Sequence, residues 1–455
     1  MPTDIPELTY HQGTIKISGN IKAPDAFWDE RSKTFRSQGL HYKDITSSLK
    51  NLSIEYRDKV PDTVPCPDLK QLYNNNTQLR DYQQDAISSW IQNNYQGVIV
   101  LPTGSGKTVI GVEAIAYCNT SVLIIVPTID LMEQWRFVLS KVYPIEIGTL
   151  GGGTKNIQPI TISTYDSAYL QAEKLGNRFE FVVFDEAHHL PAEGYRTIAE
   201  MFIAPYRLGL TATYEREDGL HTELNRLVGG KVFEQELSKL SGKHLSPYRT
   251  EKITVPLEDD ERKNYEQNYS VFTDYLKRHN ITMNRPDDFR KLVIRSGNDP
   301  EARKALLARN RAREIAFNSS AKVDTLRDLL KKHSHDSVFI FTEHNKLVYH
   351  ISSEFLIPPI TYRTTTRERN LILERFRSGV YNAIVTSKVL DEGIDVPEAN
   401  VGIILSGTGS KREYIQRLGR ILRKQKGKEA VLYEIIAAET SEVNTSRRRK
   451  NSQKQ

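Results

Sequence analysis

Two series of short, uninterrupted Val/Ile/Leu-rich runs constrain this chain more than any other feature. The first series falls at 97–101, 122–126, 160–162, 181–184 and 208–210, the second at 338–341, 383–386, 401–405 and 431–436, with amphipathic segments of helical length between runs. A strand that is apolar on both sides must be covered on both sides, so this rhythm specifies parallel sheets clad in helices, not half-exposed antiparallel ones. Two α/β lobes follow. A chain of 455 residues also exceeds one comfortable core, at roughly 150 residues per domain, which leaves room for flanking modules.

Residues 8–21 alternate apolar and polar side chains around glycines, as a hairpin does, and a helix-like stretch follows near 43–51, so residues 1–70 read as a small α+β module. It closes on Val60-Pro61-Asp62-Thr63-Val64-Pro65-Cys66-Pro67, whose prolines remove donors and favour extended chain, the mark of a linker. The first lobe is expected over 78–239 and the second over 317–440. Between them, 240–316 reads as a helical insertion. There Tyr265, Tyr269, Phe272 and Leu276 recur at helical spacing, a pattern of helix-packing core with base stacking as its rival. Arg303, Arg309, Arg311 and Arg313 give the insertion a basic side, either a solvated face or a nucleic-acid contact. Residues 441–455, with Arg447, Arg448, Arg449 and Lys450 among polar side chains, read as a basic disordered tail.

The net charge of +6 is too small to argue for a polyanionic partner by itself. Cys66 and Cys118 lie far apart without spaced His or Cys partners, so neither a zinc motif nor a disulfide framework is expected, in keeping with a reducing, cytoplasmic setting. No apolar stretch approaches the roughly 20 residues of a membrane span, and no membrane partner is expected.

Leu101-Pro102-Thr103-Gly104-Ser105-Gly106-Lys107-Thr108 follows the run at 97–101 and opens a helical segment. Backbone N–H groups of such a glycine turn can wrap phosphate oxygens at the positive end of a helix, with Lys107 reaching the β and γ phosphates and the Thr108 hydroxyl on Mg²⁺. Phe181-Val182-Val183-Phe184 delivers Asp185 and Glu186 to the carboxyl end of a buried strand, where open parallel sheets bind ligands. Asp185 suits Mg²⁺, and Glu186 suits orienting and deprotonating an attacking water. His188 and His189, adjacent in a strand-like segment, are expected to point apart and bind no metal. On a helix, Gln416, Arg420 and Arg423 would share one face and could offer two arginine fingers to a transferring phosphate, contacts worth about 10³ to 10⁵ in rate.

Further short segments complete a pattern. In the first half stand Leu79-Arg80-Asp81-Tyr82-Gln83, Val126-Pro127-Thr128, Ser163-Thr164-Tyr165, Thr211-Ala212-Thr213 and Arg216-Glu217-Asp218. In the second stand Phe339-Ile340-Phe341-Thr342-Glu343, Thr386-Ser387-Lys388 with Gly393 and Asp395, and Ser406 to Gln416. Near the start, Trp28-Asp29-Glu30-Arg31-Ser32 precedes Phe35-Arg36. In this order they resemble the superfamily-two helicases over 79–440, and within them the XPB-type DNA helicases in their short archaeal form.

That resemblance implies two tandem RecA-like lobes, a damage-recognition-like module before them and a thumb-like insertion between them. It implies an ATP- and Mg²⁺-dependent DNA helicase or translocase of 3′-to-5′ polarity, serving nucleotide excision repair or promoter opening on a fork, bubble or duplex, and a nuclease as partner. By the same resemblance Arg80 and Gln83 hold the adenine, and Gly393 and Asp395 belong with the nucleotide. Thr128, Thr164 and Thr386 touch the nucleic-acid backbone, and Arg216, Glu217 and Asp218 act in strand separation. An RNA helicase of the Asp-Glu-Ala-His type is the nearest rival, because these motifs do not read the 2′-OH. A duplex-translocating restriction subunit is the next, and a non-motor ATP switch the last.

Overall fold

The computed structural model describes residues 5–19, 21, 23–74, 78–216, 218–240, 248–283, 286–387, 399–406 and 430–451. Among these, one compact unit runs to Leu237 and a second starts at Ser238. No helix among the described residues is long and apolar enough to cross a membrane.

The first unit opens with a five-stranded sheet of β1 (Glu7–His11), β2 (Thr14–Ser18), β3 (Phe27–Asp29), β4 (Thr34–Gln38) and β5 (Arg57–Lys59), in the order β3-β4-β2-β1-β5. Alternation buries Leu8, Ile15 and Ile17 beneath Ile45 and Leu49 of the helix Tyr42–Asn51. Ile203, from the lobe that follows, completes this small core. The module is therefore fused to the lobe and not tethered to it. The Tyr10 hydroxyl donates to the Met201 carbonyl at 3.1 Å, and Gly39 lies so close that a Cβ there would overlap the same carbonyl.

The proline stretch at 60–67 departs from the expected free linker: Asp62 N–H donates to Asn177 O (3.1 Å) and Val64 N–H to Arg178 O (2.9 Å). Proline favours the extended chain but does not keep it from lying along a surface with carbonyls to offer.

The first lobe is an eight-stranded sheet among the described residues, ordered β13-β6-β12-β11-β7-β10-β8-β9. Its strands are β6 (Gln96–Val100), β7 (Val122–Val126), β8 (Gly148–Gly151), β9 (Thr154–Asn156), β10 (Ile160–Thr164), β11 (Phe181–Asp185), β12 (Tyr206–Thr211) and β13 (Lys231–Glu234). All pairings are parallel except β8 with β9. Arg207 is 2% exposed and donates to the carbonyls of Ala199, Phe202, Ala204 and Leu227. It knots the helices Arg196–Met201 and Glu223–Leu227 to β12, and burial pulls its guanidinium down to about 9.

The second unit holds a six-stranded parallel sheet among the described residues, ordered β14-β19-β18-β15-β17-β16. Its strands are β14 (Tyr248–Val255), β15 (Val338–Phe341), β16 (Pro359–Ile360), β17 (Ala383–Thr386), β18 (Val401–Ile404) and β19 (Ala430–Ala437). β14 corrects the expectation of a wholly helical 240–316. Its residues, Tyr-Arg-Thr-Glu-Lys-Ile-Thr-Val, are mostly polar, as an edge strand tolerates, and pair along their length with β19.

The helices Asp259–Arg278, Pro286–Arg295 and Pro300–Phe317 follow. Tyr265 and Phe272 are buried, and Tyr275 is buried with them. They pack against Ala302, Ala305, Ala312 and Ala316, small residues that let the helices approach closely. The aromatic stripe is core. Of the four arginines, Arg303 and Arg311 are exposed, while Arg309 lies over the Phe289 ring at 4.5 Å and Arg313 pairs with Glu343 at 3.2 Å.

The expected disordered tail is, as far as Asn451, the helix Ser441–Asn451. Glu442 is 7% exposed and Lys322 1% exposed. Lys322 Nζ donates to both Glu442 oxygens (2.8 and 2.7 Å) and to the Leu405 carbonyl (2.8 Å), and Ala437 N–H also donates to Glu442 (2.8 Å). The Ser446 hydroxyl donates to Glu434 at 2.9 Å. Composition pointed to solvent, yet these buried polar ties dock the helix.

Candidate active site

β6 ends at Val100, and the chain turns through Gly104 and Gly106, at φ of 81° and 86°, into the helix Lys107–Cys118. Only glycine adopts those angles without strain, and a Cβ at Gly106 would stand 2.5 Å from Gln83 Nε2. Ser105 is fully buried, and its hydroxyl donates to Pro102 O at 2.6 Å, which stiffens the loop. The Thr103 hydroxyl oxygen is buried without a partner. A helix start, an unpartnered hydroxyl and a lysine at the mouth of the loop fit a phosphate chain.

Lys107 Nζ folds back to donate to Leu101 O (3.3 Å) and stands 3.9 Å from Glu186 Oε1. Thr108 follows on the first helical turn, half-buried. Asp185 is the last residue of β11 and is 5% exposed. Its Oδ2 accepts from Trp135 Nε1 at 2.8 Å, its Oδ1 from the Glu186 N–H at 3.0 Å, and its carbonyl from the Tyr165 hydroxyl at 3.2 Å. Burial, with Glu186 beside it, pushes the Asp185 carboxyl up to about 6. A divalent cation would relieve that penalty, so Asp185 and Thr108 suit Mg²⁺.

Glu186 adopts φ 48°, uncommon for a residue with a side chain, and begins the tight turn Ala187–His189. That turn corrects the expectation that His188 and His189 point apart along a strand: their rings lie 4.3 Å apart. His188 is 1% exposed. Its Nδ1 lies 3.0 Å from Thr211 Oγ1 and 3.4 Å from Glu186 Oε2. The Thr211 hydroxyl donates to the Thr213 carbonyl (2.8 Å), so its oxygen is left to accept from His188, which assigns the proton to Nδ1. Glu186, His188 and the Thr211-Ala212-Thr213 segment are thus one linked group.

Arg216 closes the group. Its Nε and one terminal nitrogen donate to the two oxygens of Asp218 (3.0 and 2.6 Å), and the other terminal nitrogen donates to the His188 carbonyl. The guanidinium holds the Asp218 carboxyl below the usual carboxylate range.

Other expected site residues fall differently. Gln83 is 4% exposed and faces the phosphate loop. Its Nε2 donates to Ser105 O (3.0 Å) and its Oε1 accepts from Arg80 N–H (3.0 Å), while the Arg80 side chain bonds the Tyr82 hydroxyl (3.1 Å), itself donating to Ser105 O (2.6 Å). These residues brace the phosphate loop. Thr128 and Thr164 cap the helices Ile129–Val142 and Tyr165–Leu170, and Thr164 is 8% exposed.

Thr386 is fully buried and its hydroxyl donates to Ser387 O at 2.9 Å. The Thr164 hydroxyl likewise bonds locally, donating to Ser167 Oγ at 2.9 Å. Glu217, Gly393, Asp395, Gln416, Arg420 and Arg423 lie outside the described residues.

Sequence reasoning gave Tyr82 and Tyr165 no role of their own and missed Trp135. Trp135 carried a signal, a lone indole on an amphipathic helix that must find an acceptor when buried.

Comparison with known proteins agrees with this geometry. Residues 76–216 match the family of the type III restriction enzyme res subunit, 321–425 the helicase conserved C-terminal domain, and 8–60 the xeroderma pigmentosum group B helicase damage recognition domain. The DNA 3′-5′ translocase XPB2 of Sulfurisphaera tokodaii is 41% identical over 97% of this chain and 99% of its own length. The DNA 3′-5′ helicase XPB of Mycobacterium tuberculosis is 31% identical over 81% of this chain, which spans 62% of that longer protein. The general transcription and DNA repair factor IIH helicase/translocase subunit XPB/SSL2 of Saccharomyces cerevisiae is 27% identical over 84% of this chain and 44% of its own length. The crystal structure of the Pyrococcus furiosus Hef helicase domain shares the fold, with a TM-score of 0.53 at 20% identity over 81% of this chain and 97% of that one. With a phosphate loop braced by Gln83, an Asp185-Glu186 pair wired to Thr211, and a near full-length relative at this identity, the chain belongs to the XPB family of superfamily-two helicases.

Proposed function

We propose that this chain is an ATP-driven DNA translocase that moves 3′ to 5′ and opens duplex in nucleotide excision repair or at promoters. The observation that carries the reading is the continuous link from Lys107 through Glu186 and His188 to Thr211 and Arg216, which joins the phosphate end of the site to the Arg-Glu-Asp element. Lys107 and the N–H groups of the loop hold the β and γ phosphates. Asp185 and Thr108 would hold Mg²⁺, which would supply positive charge to the phosphate oxygens. Glu186, flanked by Lys107 Nζ at 3.9 Å and His188 Nδ1 at 3.4 Å, orients the attacking water and takes its proton. Arg420 and Arg423 supply positive charge to the transition state and make turnover depend on the second lobe. A nuclease is the partner proposed.

The match of 76–216 to the restriction subunit family favours a second reading, translocation along duplex without strand separation. Two assays on the full chain decide. ATP turnover is measured with matched DNA and RNA, and displacement of a fork strand is measured beside displacement of a triplex strand. The first reading expects stimulation by DNA over RNA and release of the fork strand. Triplex release alone supports duplex tracking, and RNA stimulation equal to that of DNA overturns the DNA assignment.

A further inference from the structure

We propose that Arg216 is a positioning residue for ATP hydrolysis: oriented by Asp218, it pins the His188 carbonyl and so holds the turn that aims Glu186. Glu186 sits at φ 48°, a conformation that costs about 1–3 kcal/mol and persists only where the surroundings enforce it. On its N-terminal side enforcement is ample, because β11 is buried throughout and paired with β7 and β12. On its C-terminal side stands a single turn, closed by His189 N–H on Glu186 O (3.0 Å) and Leu190 N–H on Ala187 O (3.0 Å). The hydrogen-bond geometry of such a turn is poor, so beyond the burial of Ala187, His188 and Leu190 its carbonyls are oriented by what they meet outside it.

His188 is held at two points. Its ring is fixed by Thr211 at 3.0 Å, and its carbonyl accepts from Arg216. The guanidinium is itself immobilised. Its other two nitrogens make a bidentate pair with Asp218, Asp218 Oδ1 also accepts from Leu220 N–H (3.1 Å), and Arg216 N–H donates to His221 Nδ1 (3.2 Å). A planar fork with all three nitrogens engaged is a rigid strut. The Arg216 side chain is 20% exposed, so it cannot turn to a DNA phosphate without releasing His188. The element that the family resemblance assigns to strand separation is therefore, in this geometry, mechanically part of the hydrolysis site. A force on it reaches Glu186 through one peptide carbonyl.

Arg216→Ala, Arg216→Lys, Asp218→Asn and the double variant Arg216→Ala/Asp218→Asn in the full chain test this. The expected result is a loss of about 10²-fold in kcat, the scale of a roughly 1 Å misplacement, with the KM for ATP unchanged, both without DNA and with it. Lysine does not rescue, and the double variant is no worse than Arg216→Ala, since the two residues act as one unit. In nucleotide-free protein, the amides of His189 and Leu190 exchange faster in Arg216→Ala and in Asp218→Asn. Asp218 is 46% exposed, so its variant keeps the test open should Arg216→Ala fold poorly. Wild-type turnover and amide protection in Arg216→Ala, with only strand displacement lost, overturns the inference and returns Arg216 to a DNA-facing role. A raised KM at unchanged kcat overturns it equally.

The inference rests on Glu186 as the base. Turnover surviving in Glu186→Gln sinks that assignment, while the amide exchange still reports separately whether Arg216 holds the turn.

Discussion

Removing Lys322 from beneath Glu442 tests whether the C-terminal helix belongs to the second unit. The two side chains are 1% and 7% exposed, and the ammonium contacts both carboxylate oxygens and Leu405 O. Breaking such a pair from one side leaves a buried charge beside backbone and costs about 3–5 kcal/mol. At roughly 2–4 °C per kcal/mol for a unit of this size, Lys322→Met lowers its melting midpoint by about 6 to 20 °C. Replacing both partners, Lys322→Met with Glu442→Leu, costs less than the two single changes added together. It removes both charges, leaving Leu405 O and Ala437 N–H short of a partner at about 1–3 kcal/mol each.

The assay follows from composition. Trp28, Trp90 and Trp135 are the chain's three tryptophans, and all belong to the first unit. Tryptophan fluorescence therefore follows the first unit while far-ultraviolet circular dichroism follows both. Lys322→Met is expected to move the dichroism transition and spare the fluorescence one. A wild-type dichroism melt, or an equal shift in both signals, refutes the reasoning, as would truncation after Thr440 without loss of stability.

Three further outcomes are expected. Lys107→Ala abolishes ATP turnover and weakens nucleotide binding, read by fluorescent-nucleotide titration, because the lysine is the loop's cation. Gly39→Ala, whose methyl would overlap the Met201 carbonyl, costs about 1–3 kcal/mol and loosens the N-terminal module; trypsin then cuts faster after Lys59. Arg420→Ala lowers kcat by about 10³-fold or more while ATP affinity holds, since a finger acts in the transition state; equal loss of both makes it a binding residue.

What was legible in the sequence was what burial on both faces writes into it. β7 and β11 are near-continuous Val/Ile/Leu/Phe runs, and β6 ends in one, because helices cover both their faces. The two α/β lobes and the positions of Lys107, Asp185 and Glu186 follow from those runs and the glycine loop. β14 escaped because its Arg-Thr-Glu-Lys run reads as a solvated segment. The C-terminal helix escaped because its docking rests on Glu442 and Ser446, whose partners Lys322 and Glu434 lie 120 and 12 residues away.

The same limit applied in the site. Trp135 to Asp185 spans 50 residues, His188 to Thr211 spans 23 and Arg216 to His188 spans 28, contacts that no local periodicity encodes. Gln83 to Ser105 spans 22 residues and is likewise invisible to local pattern.

The central claim is that Glu186, flanked by Lys107 and His188, converts bound ATP into DNA-coupled work. Steady-state ATP turnover of wild type and Glu186→Gln, titrated with single-stranded DNA, tests it most directly. The account predicts turnover that rises with DNA in the wild type, and in Glu186→Gln no turnover at any DNA concentration with nucleotide binding retained. Substantial turnover by Glu186→Gln, or a wild-type rate indifferent to DNA, contradicts it.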